Sequence, residues 1–222
     1  METRRVSPHQ GYDLWSDTYD ATPNPVVRLD QRVTPEMIRS RPAQRILDAG
    51  CGTGRYFPSL MAAGGQVVGT DFSLGMLRVA RAKHPAVPLV AADLQAPWPF
   101  RDNAFDAVLC ALVGEHLDRL PAVCAEMCRV LAPRGRAVFS VYHAAMAAAG
   151  KEANFRKGDV EYRLGAERYA VQDYSGAFEQ AGFAKITVQE FRGDDQLAAE
   201  VPSARKYVGF PMLLVYEAIK PS

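Results

Sequence analysis

Arg45–Tyr56 reads RILDAGCGTGRY, and this stretch decides the fold. Ile46 and Leu47 have the character of a buried strand end, and Asp48 stands at its carboxyl edge. Gly50, Gly52 and Gly54 then alternate strictly before a segment that can continue as a helix. A strand, a glycine turn and a helix N-terminus make a pocket whose backbone N–H groups are expected to face outward. Glycine is required where φ is positive, or where a ligand must come closer to the backbone than a Cβ permits.

The spacing narrows the ligand. The dinucleotide pattern G-x-G-x-x-G fails, because Arg55 stands where its third glycine belongs. The phosphate-cradling G-x-x-x-x-G-K-[ST] pattern fails as well, because no Lys follows the glycines. An aspartate two residues before the first glycine repels a pyrophosphate and suits an ammonium or sulfonium. S-adenosylmethionine is such a ligand; a tight strand–helix turn with no ligand is the bland alternative.

The motif resembles the D-x-G-x-G-x-G signature of class I S-adenosylmethionine-dependent methyltransferases. The resemblance runs over about Tyr12 to Ile219, is strong over Arg45–Tyr142 and is weak beyond. It implies an α/β, Rossmann-like, seven-stranded and mostly parallel sheet with helices on both faces, an antiparallel last strand and an N-terminal helical lid. It implies S-adenosylmethionine as cofactor and S-adenosylhomocysteine as product. One domain is expected over 1–222: a lid to 42, a cofactor core over 43–143, a substrate-lid insertion over 144–172, and a C-terminal helix with antiparallel strands.

Bulk properties agree with a single ordinary domain. The chain has 222 residues, 48% apolar and 23% charged, with net charge +1. Such a balance draws neither nucleic acid nor an anionic membrane, and no run approaches the ~20 apolar residues of a span. The first ten residues lack a signal-peptide core and read as a disordered polar tail. Cys51, Cys110, Cys124 and Cys128 have no ligand spacing for a metal, so none is expected; the thiols read as reduced and the compartment as cytoplasmic. A monomer or homodimer is expected.

Outward from the glycines, Tyr12, Trp15 and Tyr19 fall on one face of an aromatic helix over Gly11–Asp20. They serve to staple that helix to the core; the family resemblance adds that Tyr12 and Tyr19 close over the methionine part of the cofactor. A second helix is expected from Val26 to about Ser40, ended at Arg41-Pro42. Strand and helix then alternate, as in a parallel sheet covered on both faces. Strands are read at Arg45–Asp48, Gln66–Thr70, Leu89–Ala91, Phe105–Leu112 and Arg136–Tyr142, with helices near Gly54–Ala63 and Leu120–Leu131.

Asp71 ends the second strand, about 20 residues after Asp48, where doubly wound folds place an acidic residue on the ribose. It is also a candidate N-cap, but Ser73 can take that role. Phe72 and Met76 are candidates for the adenine faces. The resemblance implies that Asp93 meets the adenine amine and that the Leu94 N–H meets a ring nitrogen, a donor–acceptor match for that base. Ala111 is expected beside the methionine moiety, and Cys51 within the glycine turn.

Transfer from a sulfonium needs positioning above all, with a base only where the acceptor must lose a proton. His143 and His116 follow strands and are the candidate bases; alternation turns Tyr142 into the core. The acceptor is narrowed by absence. There is no Asn/Asp-Pro-Pro-Tyr/Phe motif, no double-glutamate loop, no acidic metal cluster and no basic-aromatic run for RNA. A small molecule under the 144–172 lid remains, with Phe155, Tyr162, Arg163 and Tyr169 as lining. The alternatives are a regulatory module that binds the cofactor without turnover, and a dinucleotide-dependent oxidoreductase.

Overall fold

The computed structural model describes residues 2–39, 45–62, 64–167 and 169–222. In chain order the elements are β1 (Glu2–Arg5), α1 (Pro8–Trp15), α2 (Pro25–Arg39), β2 (Arg45–Ala49), α3 (Phe57–Ala62), β3 (Gln66–Asp71), α4 (Leu74–Lys83), β4 (Leu89–Ala91) and β5 (Phe105–Ala111). Then come α5 (Leu120–Val130), β6 (Leu131–Tyr142), α6 (Ala144–Ala148), β7 (Asn154–Lys157), β8 (Val160–Arg163), α7 (Val171–Gln180), β9 (Lys185–Arg192), α8 (Asp195–Glu200) and β10 (Pro211–Ile219). The expected end of the second helix at Ser40–Pro42 lies outside the described residues.

Seven strands form the main sheet in the order β4-β3-β2-β5-β6-β10-β9. The first five run parallel, and β10 runs antiparallel to both β6 and β9. This is the α/β, mostly parallel architecture that the strand–helix alternation implied. The pleat sends alternate residues to opposite faces. Leu47, Val108, Cys110 and Phe139 pack under α5 and α7. Ile46, Ala107, Leu109 and Val138 pack against α2, α3 and α4. Both faces are covered, which is why these strands read as near-continuous apolar runs.

The N-terminus departs from expectation. Residues 2–5 are not a disordered tail: β1 pairs in parallel with β8, which pairs with β7, giving a second sheet in the order β1-β8-β7. All four side chains of β1 are exposed. The strand is held by main-chain bonds, so its sequence, ETRR, carries no apolar alternation to reveal it. Ser7 then caps α1 by accepting from the Gln10 N–H at 3.3 Å, and Pro8 occupies the first turn. The aromatic helix therefore begins three residues earlier than Gly11 and ends at Trp15.

The small sheet has its own apolar cluster. Trp15 stacks on Phe155 at 4.9 Å, and Phe155 stacks on Tyr162 at 5.0 Å. Gly11 passes against Leu164 so closely that a Cβ would lie 2.6 Å from its Cγ. The N-terminal lid and the 154–164 flap thus share one core. Deleting residues 1–6 is expected to expose the edge of β8 and raise amide exchange over 160–163 by about tenfold or more, while shifting the melting of the seven-stranded sheet little. Mass-spectrometric exchange checks this; unchanged exchange in β8 would refute it.

Candidate active site

A cavity of about 570 Å³ opens at the carboxyl ends of β2, β3, β4 and β5. Its floor is Gly50 and Gly52 after β2, Asp71 and Phe72 at the end of β3, Asp93 and Leu94 after β4, and Ala111 and Leu112 at the end of β5. Met76 of α4, Tyr12 of α1 and Tyr19 line it from the sides, and residues 164–167 of the flap close it from above. The chain leaves the central strand β2 in opposite directions to reach β3 and β5, and such a switch point leaves a crevice for a ligand.

The three glycines do different work. Gly50 has φ +78°, and a Cβ there would lie 2.5 Å from Val113 Cγ2. Gly54 has φ +75°, and its Cβ position is closed off by the Phe57 ring. Gly52 has φ +54° and open space where a Cβ would stand. Gly50 and Gly54 are therefore packing glycines, and Gly52 is the one that leaves room inside the cavity.

The expectation of outward-facing N–H groups needs correction. Gly50 and Cys51 both donate to the Thr70 carbonyl, at 2.8 and 2.9 Å, and Gly54 donates to the Cys51 carbonyl at 2.9 Å. Gly52 donates to Asp71 Oδ2 at 2.8 Å. Four loop donors are thus spent on the neighbouring strand and on the loop itself, because β2 and β3 lie side by side and the turn folds onto the end of β3. Asp71 also accepts from the Ser73 N–H at 2.9 Å, while Ser73 caps α4 through Met76 N. Burial raises the Asp71 carboxyl to about 6 against the pull of these N–H groups.

Three of the expected cofactor residues lie outside the lining. Asp48 is 1% exposed and sits beneath the glycine turn. Cys51 turns its side chain into the core beside Phe57, and Gly54 is closed by packing. Tyr12, Tyr19, Gly50, Gly52, Asp71, Phe72, Met76, Asp93, Leu94 and Ala111 all border the cavity.

The lid is latched by a face that the aromatic pattern did not reveal. Asp13 accepts from Ser73 Oγ at 2.6 Å and from Gly75 N at 2.9 Å. Asp17 pairs with Arg78 at 2.6 Å. Asp20 accepts from Thr53 Oγ1 and from Lys83 Nζ, both at 2.7 Å. Three aspartates thus fasten the lid to α4 and to the glycine turn. The aromatic side points the other way, with Tyr12 bordering the cavity and Trp15 entering the flap core.

The two histidines separate. His116 borders the cavity, with Nε2 2.9 Å from the Tyr12 hydroxyl, and burial lowers its pKa to about 4, so the ring is neutral at pH 7. His143 does not reach the cavity. Its Nδ1 accepts from Ala145 N at the start of α6, and its Nε2 lies 3.1 Å from Glu190 on β9. Strand β6 ends one residue before His143, and the turn into α6 directs it toward β9 and β10. Tyr142 packs with the core as expected, accepting from Asn24 Nδ2 at 3.0 Å.

The flap lining is shifted from expectation. Phe155 and Tyr162 belong to the small apolar cluster, Arg163 pairs with Glu152 and Glu161, and Tyr169 donates to the Leu117 carbonyl at 2.7 Å. Residues 164–167 border the cavity instead, with the Glu167 N–H bonded to the Glu115 carbonyl at 2.7 Å. Leu112 has φ +56°, a costly conformation for a bulky residue, held by bonds from its N–H to the Ser140 carbonyl and hydroxyl.

Residues 47–139 match the methyltransferase domain family. The match runs from β2 into β6 and so includes the strands whose ends floor the cavity. It is 37% identical over 139 residues to the demethylmenaquinone methyltransferase of Streptomyces avermitilis, over 59% of this chain and 59% of that protein. The chain thus spans little more than half the length of that relative. Among solved structures, an S-adenosylmethionine-dependent methyltransferase from Mesorhizobium loti superposes with TM-score 0.70 at 22% identity, over 86% of this chain and 100% of that one. The [4+2]-cyclase SpnF also superposes at 0.70 with 19% identity, over 100% of this chain and 99% of that one. Identities this low establish the fold and leave the reaction open.

The cavity has residues that fit an adenosyl donor. Gly52 leaves space in the cavity floor, Asp71 borders that space, and both Asp48 oxygens are buried without a hydrogen-bond partner. Burial, with Asp71 and Asp30 nearby, raises the Asp48 carboxyl to about 8. A folded-state pKa above the unfolded value of about 3.9 means that stability is lost as pH rises from about 4 towards 8. Asp48→Asn should therefore melt higher than the wild type at pH 8 without ligand, by about 2–4 °C for each kcal/mol recovered, with the difference vanishing near pH 4. Melting curves at the two pH values check this. Among the described residues no group of three His, Cys, Asp or Glu is placed to hold a metal, and no helix is long and apolar enough to cross a membrane.

Proposed function

We propose that the protein transfers a methyl group from S-adenosylmethionine to a small-molecule acceptor. The observation that carries this reading is the floor of the cavity: a glycine loop whose donors are turned inward, an open position at Gly52, and Asp71 at the rim. A dinucleotide needs free N–H groups against its pyrophosphate. Four of the loop's N–H groups are already bonded, and the Asp71 carboxylate stands at the rim. That chemistry favours a phosphate-free, positively charged ligand over NAD.

When bound, the cofactor supplies an electrophilic methyl on a sulfonium sulfur. The chain's own residues then hold and enclose. Asp71 offers carboxylate oxygens to ribose hydroxyls, and Asp93 with the Leu94 N–H addresses the adenine. Phe72 and Met76 supply apolar contact. Asp48, beneath the floor and without contact, is mostly protonated at pH 7 until a cation beside it favours the carboxylate. Tyr12, Tyr19 and residues 164–167 exclude water from the acceptor side. His116, with its Tyr12 partner, is the one of the two candidate histidines within reach of an acceptor.

The relative from Streptomyces avermitilis is named for demethylmenaquinone, and a small aromatic or quinol-like acceptor suits a cavity bordered by Tyr12, Phe72 and Leu164. Calorimetry with S-adenosylmethionine, S-adenosylhomocysteine and NADH tests the cofactor. Micromolar binding of the first two and none of NADH is expected; the reverse order would overturn the proposal. Release of S-adenosylhomocysteine with an acceptor library separates an enzyme from a module that only binds.

A further inference from the structure

Glu115 is a buried carboxyl to which the reading above assigns nothing. It is 7% exposed, borders the cavity, and its Oε2 has no hydrogen-bond partner. Leaving a charged acceptor buried and unmatched is costly unless something supplies the missing donor. Burial accordingly raises its pKa to about 7. Its place is fixed from both sides: its carbonyl accepts from Glu167 of the flap, and it follows the strained turn at Leu112 that the Ser140 bonds hold. A side pocket of about 20 Å³, room for about one water, lies on its far side.

The surroundings limit what can supply the donor. His116, Tyr12, Asp118 and Glu167 are its polar companions on the acceptor side. Among the described lining residues of the main cavity the one Lys or Arg is Arg5, whose guanidinium reaches towards Glu152 at 3.8 Å. Among the described residues that line the main cavity, none supplies a cation beside Glu115 for an anionic group, and Lys151 shares with it only the small side pocket. A carboxylate acceptor would place like charges together unless Glu115 took up a proton, at a cost that an N–H or O–H donor does not incur.

Resting on the methyl-transfer reading, we infer that Glu115 recognises the acceptor, and that the acceptor presents an N–H or O–H group to it, as an amine, a phenol or a hydroquinone does, and not a carboxylate. The bond to Glu115 orients the acceptor under the flap, and the choice of substrate is made there by the match between donor and carboxyl.

The test uses protein saturated with S-adenosylhomocysteine and three probes on one ring system: 1,4-naphthohydroquinone, 1-naphthylmethylamine and 1-naphthoate. Equilibrium binding is measured by calorimetry for the wild type, Glu115→Gln and Glu115→Asp. The expected result is binding of the hydroquinone, the amine or both at least about tenfold tighter than the naphthoate. Glu115→Gln should weaken that binding about tenfold while S-adenosylhomocysteine affinity stays within about twofold, and Glu115→Asp should retain part of it. Which of the two binds tells hydroxyl from amine. Equal or tighter binding of naphthoate, an unchanged affinity in Glu115→Gln, or no binding by either donor probe overturns the inference. A wild type that fails to bind S-adenosylhomocysteine overturns the methyl-transfer reading instead, so the two failures are told apart.

Discussion

Replacing Asp71 by alanine is expected to remove measurable S-adenosylhomocysteine binding. This carboxylate does two jobs. It accepts from Gly52 N and Ser73 N, so it holds the glycine turn and the start of α4 in place. It also borders the cavity where a ribose with two hydroxyls is proposed to lie. Hydrogen bonds to a charged acceptor contribute about 1.5–3 kcal/mol each, so two of them correspond to a loss of roughly 10²- to 10⁴-fold in affinity. Asp71→Asn, which keeps the shape and one acceptor, should fall between the alanine variant and the wild type. The variant must also lose stability, because two N–H groups lose their acceptor at about 1–3 kcal/mol each. Calorimetry well below the melting temperature separates the two effects. The raised carboxyl, at about 6, adds a pH signature: ionised above that value and protonated below it, Asp71 should bind a ribose about tenfold more weakly at pH 5 than at pH 7. Wild-type affinity in the alanine variant would remove the adenosyl donor from consideration.

Gly50→Ala and Gly52→Ala should fail in opposite ways. At Gly50 a Cβ meets Val113 Cγ2 at 2.5 Å, in a backbone with φ +78°. The left-handed conformation costs about 1–2 kcal/mol and the overpacking about 1–3 more, so the melting temperature should fall by roughly ten degrees. At Gly52 the conformational cost is similar, but the Cβ enters open space bordering the cavity. That variant should fold with a small loss, and bind S-adenosylhomocysteine at least about tenfold more weakly because the methyl group occupies ligand space. Thermal melts and titrations on both variants decide this. A Gly52→Ala protein with full affinity would mean that nothing binds against the turn.

The inner strands β2, β3, β5 and β10 were legible because each is a mostly apolar run with Gly, Pro or Asp at or near its ends, and a sheet covered on both faces demands such runs. Asp71, Asp93 and Ala111 were legible for the same reason: each terminates or closely follows a strand, and strand ends are where the crevice forms. The sequence offered less over 144–172. There Leu164 and Glu167 border the cavity while Phe155 and Tyr162 pack in the cluster with Trp15, a partner far away in sequence. His143 looked equivalent to His116, since both follow a strand, yet one turn leads to the cavity and the other to β9. Glu115 lay beside His116 in plain view, but a buried carboxyl without a partner cannot be recognised before its neighbours are known.

From its own residues, then, this chain determined the parallel α/β sheet, the aspartate-led triple-glycine turn and the acidic residues that end its strands, since local periodicity and backbone chemistry are written position by position. Tertiary structure alone decided that the turn's N–H groups point inward, that three lid aspartates grip α4, that ETRR becomes a strand, and that Glu115 borders the cavity with one carboxyl oxygen buried and unmatched. Those outcomes depend on which main-chain groups and side chains meet across tens or hundreds of residues, and no local pattern encodes such meetings.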